Sequence, residues 1–195
     1  VAPTGKVYAD STLLSSGGKT KASSLYYSAT DTGGLSACYV KGPGASSYAE
    51  YANGATLTTS GSYSFYCVDL AGNTSSTYSV FMDHDAPTLS CNVSEFSETV
   101  NKAFTVTAND GHSTFTLYYR RPGDSSFTAA SGSSITMPVT SADGKYYFYA
   151  ADAMGNTSST VWIELNVDVP VATIVKSSTD NRVYATWDSA NITAT

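Results

Sequence analysis

Asp31-Thr32-Gly33 spells the triplet in which aspartic proteases carry their carboxylates, a chemistry that needs two such groups sharing a proton about 3 Å apart. The triplet occurs once, and the matching stretch later in the chain reads Asp110-Gly111-His112, so a plain loop is expected at both places. Gly18-Lys19-Thr20 ends like a phosphate-binding loop. Its required first Gly would fall on Leu13, and no helix is expected to follow it. There is no Gly-x-Ser-x-Gly elbow, and His84 and His112 are the only histidines, so a Ser-His-Asp assembly has few bases to choose from. His112 reads as a loop residue. No Lys-Asn-acid trio marks an isopeptide crosslink. Catalysis is not expected.

Metal chemistry is nearly as sparse. Cys38, Cys67 and Cys91 form no CxxC pair and lack the spacing of a structural zinc site. Their odd number fits buried thiols, the favoured reading, or one disulfide with a thiol left over. Two acidic stretches, Asp83-His-Asp85-Ala-Pro87 and Asn166-Val-Asp168-Val-Pro170, share the pattern Asp/Asn-x-Asp-x-Pro. Calcium takes six to eight hard oxygen ligands, and a linker bearing Asp83 and Asp85 could supply some of them if loop carboxylates or carbonyls completed the shell. The plainer reading is a solvated acidic hinge whose Pro stops the preceding strand. Asn73, Asn92, Asn156 and Asn191 each open an Asn-x-Ser/Thr triplet, expected by chance in a chain so rich in Ser and Thr.

The elements that must position these residues follow from composition and repetition. The chain has 195 residues, 13% charged and 42% hydrophobic, with 15 Tyr against 7 Phe and 2 Trp. Large half-buried side chains of this kind suit pleated surfaces, which points to a β protein. A net charge of −6 and a pI near 4.6 repel phosphate backbones and anionic head groups, so neither nucleic acid nor a membrane surface is an expected partner. No apolar run approaches the ~20 residues of a spanning helix, so no membrane insertion is expected. Nothing at the start reads as a signal segment, and Val1 is expected to follow a processing or fragment boundary.

Gly61-Ser-Tyr63-Ser-Phe65-Tyr66-Cys-Val-Asp69-Leu-Ala-Gly72-Asn73-Thr-Ser-Ser-Thr77 is echoed by Gly144-Lys-Tyr146-Tyr-Phe148-Tyr149-Ala-Ala-Asp152-Ala-Met-Gly155-Asn156-Thr-Ser-Ser-Thr160, at an offset of 83. Ala2-Pro3-Thr4 recurs as Ala86-Pro87-Thr88. Ala29-Thr-Asp31 matches Ala108-Asn-Asp110 at 79, so the second copy is shorter early and longer in the middle. The expected modules run over 1–84 and 85–167, with 168–195 opening a third and the whole cut from a longer array. Tyr63, Phe65 and Cys67 alternate with Ser64, Tyr66 and Val68, which places the first set on one strand face. The turn 69–73 and the inward set Tyr78, Val80, Met82 complete a hairpin. Tyr146, Phe148 and Ala150, then Val161, Ile163 and Leu165, repeat it. Some seven short strands per module is the scale of an immunoglobulin-like sandwich, and the fold class expected is all-β, in tandem modules of about 83 residues.

On Ala86-Pro87-Thr88, Ala29-Thr-Asp31-Thr-Gly33-Gly34-Leu35 and Asp69-Leu-Ala71-Gly72-Asn73, the chain resembles bacterial immunoglobulin-like (Big-type) repeats of cell-surface and secreted proteins. The resemblance covers essentially its whole length, and Trp187 to Thr195 looks like the second strand of an interrupted third copy. It implies an extracellular or bacterial cell-surface setting and a role as stalk, spacer, or adhesive or sugar-binding unit. Aligning Pro43 with Pro122 matches Cys38 to inward Leu117 and Cys67 to inward Ala150. In this fold class the two strands are neighbours, so a Cys38–Cys67 bond stays open beside two thiols, with Cys91 a buried thiol in either case.

The expected function is a non-catalytic stalk or presenting module without a cofactor, calcium at the junctions excepted. The alternative is a carbohydrate-binding or adhesion module whose partner is a polysaccharide or a host or cell-surface protein. Alternation that buries Leu117 and Tyr119 turns Tyr118 and Arg120 outward, and likewise turns Tyr147, Tyr149 and Trp162 outward. Sugar rings stack on such aromatics, and Arg can hydrogen-bond their hydroxyls. The competing reading makes these residues β-formers covered by Lys and Arg stems or by a neighbouring module.

Overall fold

The computed structural model describes residues 1–93, 95–168, 172–176 and 183–187. Among them there is no helix, and hence none long and apolar enough to cross a membrane. The first part of the chain forms eight strands: β1 (Thr4–Ala9), β2 (Thr12–Leu14), β3 (Lys19–Thr20), β4 (Leu25–Thr30), β5 (Leu35–Lys41), β6 (Ala49–Tyr51), β7 (Gly61–Asp69) and β8 (Tyr78–Met82). They build a three-stranded sheet in the order β2-β1-β4 and a five-stranded sheet in the order β3-β8-β7-β5-β6.

Eight more follow: β9 (Thr88–Cys91), β10 (Thr99–Val100), β11 (Phe104–Asn109), β12 (Phe115–Arg120), β13 (Thr128–Ala129), β14 (Ser134–Met137), β15 (Gly144–Asp152) and β16 (Val161–Leu165). Their sheets read β14-β11-β9 and β10-β16-β15-β12-β13. Each set is a two-sheet sandwich of the immunoglobulin-like kind, with one strand more than the seven expected. β17 (Ala172–Lys176) and β18 (Val183–Trp187) pair antiparallel at the end of the chain. Pro170 and residues 188–195, Asn191 among them, lie outside the described residues.

Period-two alternation sets the cores. In β7, Tyr63, Phe65 and Cys67 are buried with Val7, Leu25, Tyr27, Val80 and Met82 from the facing and neighbouring strands. In β15, Tyr146, Phe148 and Ala150 take the same places among Phe104, Val106, Leu117, Ile163 and Leu165. A fully buried Leu or Phe side chain contributes about 1.5–3 kcal/mol, and each sandwich buries its own inward set in a separate core cluster. Tyr78, Val161 and Tyr119, expected inward, are only half-buried at the rims of these cores.

The length differences between the copies have a structural location. The first sandwich spends its early residues on the β1–β2 hairpin, which the second lacks. The second instead lengthens its middle into β14, paired to β11 over four residues, where the first has a single bridge between Leu25 and Leu57.

The register of β5 against β7 sets Cys38 directly opposite Cys67, and the two are joined by a disulfide with a Cα–Cα distance of 4.0 Å. The preference for thiols is thereby corrected. Both side chains point into the core from adjacent strands of one sheet, and direct cross-strand pairing puts the two sulfurs within bonding reach. Cys91 is free and half-buried at the edge of the second core, with burial pushing its thiol pKa up. It is not the fully buried thiol expected.

Candidate functional site

Two regions bring the singled-out residues together. The first is the outer face of the five-stranded sheet in the second sandwich. Pairing of β12 with β15 sets Tyr118 opposite Tyr149 and Arg120 opposite Tyr147, and pairing of β15 with β16 sets Tyr147 opposite Trp162. The five residues therefore form two adjoining rows across three strands, all of them half-buried. Tyr118 and Tyr149 stack with centroids 4.7 Å apart, and Phe127 meets Tyr149 edge-on at 4.8 Å. The Arg120 guanidinium lies 4.4 Å from the Tyr147 ring centroid and 5.4 Å from that of Phe127, and its buried Nε has no hydrogen-bond partner. The Lys145 ammonium lies 4.1 Å from the Trp162 ring. Cations thus cover one face of Tyr147 and one of Trp162, an attraction of about 0.5–2 kcal/mol each.

The first sandwich separates scaffold from specialisation on this face. Tyr39 stacks on Tyr66 at 4.9 Å and Tyr48 meets Tyr66 edge-on at 4.8 Å, repeating the Tyr118, Tyr149 and Phe127 arrangement. Where the second sandwich has Tyr147 and Trp162, the first has Ser64 and Ser79, whose hydroxyls bond each other at 3.0 Å. Lys41 stands in the place of Arg120 and Ser62 in that of Lys145. The tyrosine stack is therefore common architecture, while Arg120, Tyr147, Trp162 and Lys145 belong to the second sandwich alone. Phe127 and Lys145 were not singled out from sequence; alternation along β15 already placed Lys145 on the face of Tyr147 and Tyr149.

The second region is the junction of residues 83–87 between β8 and β9. Asp83 is fully buried: its N–H donates to the Thr20 carbonyl at 2.9 Å, and its own carbonyl accepts from Asn156 Nδ2 of the second sandwich at 3.0 Å. Asp83, Asp110 and Asp152 each bring one carboxylate oxygen into a group whose atoms all lie within 4.8 Å of one another. Asp83, Asp85 and His112 form a second such group, with His112 Nδ1 at 3.5 Å from Asp85 Oδ2. Asp110 and Asp152 escaped the sequence reading as ligands. Their signal was the recurrence of Ala-x-Asp and Asp-x-x-Gly-Asn at the same end of each copy.

The second of these motifs has a local reason. Asp69 Oδ1 accepts the N–H groups of Ala71 (2.9 Å) and Asn73 (2.7 Å), and Oδ2 accepts Asn73 Nδ2 at 2.7 Å. Gly72, at φ 84°, supplies the left-handed residue that closes the turn. Asp152, Met154, Gly155 and Asn156 repeat it bond for bond. The side-chain bond from Asn73 holds the Asp69 carboxyl below its ordinary pKa. For Asp152, burial raises the value but the bonds from Asn156 and the turn amides outweigh it, leaving a net lowering. The Asn-x-Ser triplets at 73 and 156 belong to this turn. Ser75 Oγ and Ser158 Oγ accept the N–H groups of Cys67 and Ala150, each at 2.9 Å.

The hydrolytic motifs resolve into structure. Asp31 Oδ1 accepts the Gly33 N–H at 2.7 Å in a simple loop turn, and Lys19 sits on β3 over the Phe81 ring. Ser60 Oγ lies 3.2 Å from His84 Nδ1, with Asp85 4.0 Å from Nε2. This group cannot act as a triad: Ser60 is 2% exposed, and its Oγ also accepts the His84 backbone N–H.

Together the paired sheets define a tandem of immunoglobulin-like β-sandwiches. No family model and no curated protein matches the chain. Among solved structures it is similar to the fibronectin(III)-like modules of Clostridium thermocellum CbhA, at 16% identity over 83% of this chain and 93% of that one, with a TM-score of 0.32. It is also similar to the chicken CNTN1 FN1-FN3 domains (13% identity, 78% and 66% covered, TM-score 0.29). The human OSCAR ligand-binding domain gives 11% identity, 80% and 94% covered and a TM-score of 0.31.

Proposed function

We propose that this chain is a non-catalytic segment of an extracellular bacterial surface or secreted protein, a stalk whose sandwiches space and present other parts of the molecule. One observation carries the reading: the contacts that recur between the two sandwiches serve packing and turns. The tyrosine stacks, the Asp-Asn turns and the inward aromatic sets repeat in place, and none of them assembles a reacting group. The Cys38–Cys67 bond supports an oxidising compartment. Small-angle scattering of the full chain tests it: a single extended particle is expected, and a collapsed or broadly distributed one would overturn the stalk reading.

A second reading is favoured by Arg120, Lys145, Tyr147 and Trp162, where the outer sheet face of the second sandwich departs from that of the first. Tyr147 and Trp162 replace a pair of bonded serines, and the Arg120 guanidinium lies near the Tyr147 and Phe127 rings without an ion pair to a carboxylate among the described residues. Such a face suits a polysaccharide, with the free ring faces stacking on sugars and the guanidinium bonding hydroxyls or acidic groups. Retention on insoluble polysaccharides, lost in Trp162→Ala and Tyr147→Ala, would support it; equal retention of a binding-competent parent and both variants would place the contact elsewhere.

A further inference from the structure

We infer that Asp83, Asp110 and Asp152 form a calcium site that clamps the first sandwich to the second. The argument starts from unpaired charge. Asp83 is 0% exposed and its Oδ2 has no hydrogen-bond partner; Asp110 Oδ2 is likewise buried and unpartnered. Their remaining oxygens are occupied, Asp83 Oδ1 by the Asp85 N–H and Asp110 Oδ1 by the N–H groups of His112 and Ser113. Two carboxylates that each withdraw an oxygen from water and stand near each other are strongly unfavourable as anions unless a cation or a shared proton lies between them. No protein cation serves: among the described residues the ion pairs are His84 and His112 with Asp85, and Lys21, which approaches the Gly155 turn, pairs with none of the three carboxylates.

The spacing fits the ion. Three oxygens within 4.8 Å of one another lie no more than about 2.8 Å from a common centre, so a small inward adjustment brings all three to the 2.3–2.6 Å of calcium–oxygen bonds. All the donors are hard oxygens, and they come from three separate segments in irregular array, which calcium's flexible coordination accepts more readily than magnesium's strict octahedron. Ser113 Oγ, also buried and unpartnered, is a neutral oxygen in the same loop as Asp110. Asp85, expected from sequence beside Asp83 with loop carboxylates completing the shell, lies within reach of Asp83 in the group that also holds His112, whose Nδ1 is 3.5 Å from Asp85 Oδ2; Asp110 and Asp152 are the loop and strand-end carboxylates the buried Asp83 meets. Asp83 belongs to the end of the first sandwich, while Asp110 follows β11 and Asp152 ends β15 of the second. A bound ion would therefore stiffen the joint, a consequence that rests on the stalk reading although the site itself does not.

The test is calorimetric titration of calcium chloride into the full chain after chelator treatment, with magnesium chloride in parallel. One equivalent of calcium should bind, with a dissociation constant on the order of 10⁻⁴–10⁻³ M or tighter, and the melting temperature should rise. Asp110→Asn should weaken binding about tenfold or more, whereas Asp31→Asn, at the corresponding position of the first sandwich, should leave it unchanged. Absence of heat and of any melting shift at millimolar calcium would overturn the site, as would an equal response to magnesium. Scattering separates the two ideas: an extended particle that ignores calcium refutes the clamp and leaves the stalk standing.

Discussion

Tyr118 stacks on Tyr149 with ring planes 7° from parallel, and Tyr39 stacks on Tyr66 in the same place on the first sandwich with planes 21° apart. A contact rebuilt in both copies belongs to the sheet rather than to a ligand. Tyr118→Ala and Tyr39→Ala are each expected to lower stability by about 1–2 kcal/mol in urea unfolding. Trp162→Ala, whose ring has no counterpart in the first sandwich, should cost less than about 1 kcal/mol. If it costs as much as the tyrosines, Trp162 is structural and the ligand face loses its main support.

The disulfide closes a loop with a sequence separation of 29 residues. Constraining the unfolded chain in this way is worth roughly 3–4 kcal/mol. Reduction should therefore lower the unfolding midpoint of the first sandwich and leave that of the second, which contains only Cys91, in place. Intact mass should rise by two hydrogens on reduction. An unchanged mass would remove the bond.

Gly5 lies under the ring of Tyr27, where a Cβ would overlap the ring's Cζ and hydroxyl. Tyr27 is itself fixed between Phe65 and Tyr78 in the core. Gly5→Ala should destabilise the first sandwich by about 1–3 kcal/mol. The paired variant Gly5→Ala with Tyr27→Leu should recover part of the loss, and a Gly5→Ala protein melting with the parent would show that the ring yields freely.

Asp69 titrates below its ordinary value because Asn73 and the turn amides bond its charged form. A depressed folded-state pKa contributes stability that is present above the unfolded value, near 3.9, and is lost as pH falls through the folded one. Stability of the first sandwich should thus decline as pH drops below about 4, and Asp69→Asn should flatten that decline while lowering stability at neutral pH. A parent protein indifferent to pH between 5 and 2, values that bracket the ordinary carboxylate range, would contradict the turn's charge.

Strand identity and facing were legible in the sequence because period-two alternation is a local property. Tyr63, Phe65 and Cys67 had to share a face once the segment was a strand, whatever it packed against, and so did Tyr146, Phe148 and Ala150. The 83-residue repeat likewise marked the turns, since Asp69 with Asn73 and Asp152 with Asn156 close bonds only four residues apart. Register and docking were not local. Cys38 meets Cys67 only because β5 lies against β7 without a slip at that pair, and sequence alone leaves that register undetermined. Asp110 and Asp152 reach buried Asp83 only because one end of the second sandwich packs on the linker, bringing together three carboxylates that the chain keeps far apart. Alternation could turn Arg120 and Tyr147 outward, but it took cross-strand pairing to lay the guanidinium on the ring, because contacts between strands depend on distances that a strand's own period does not contain.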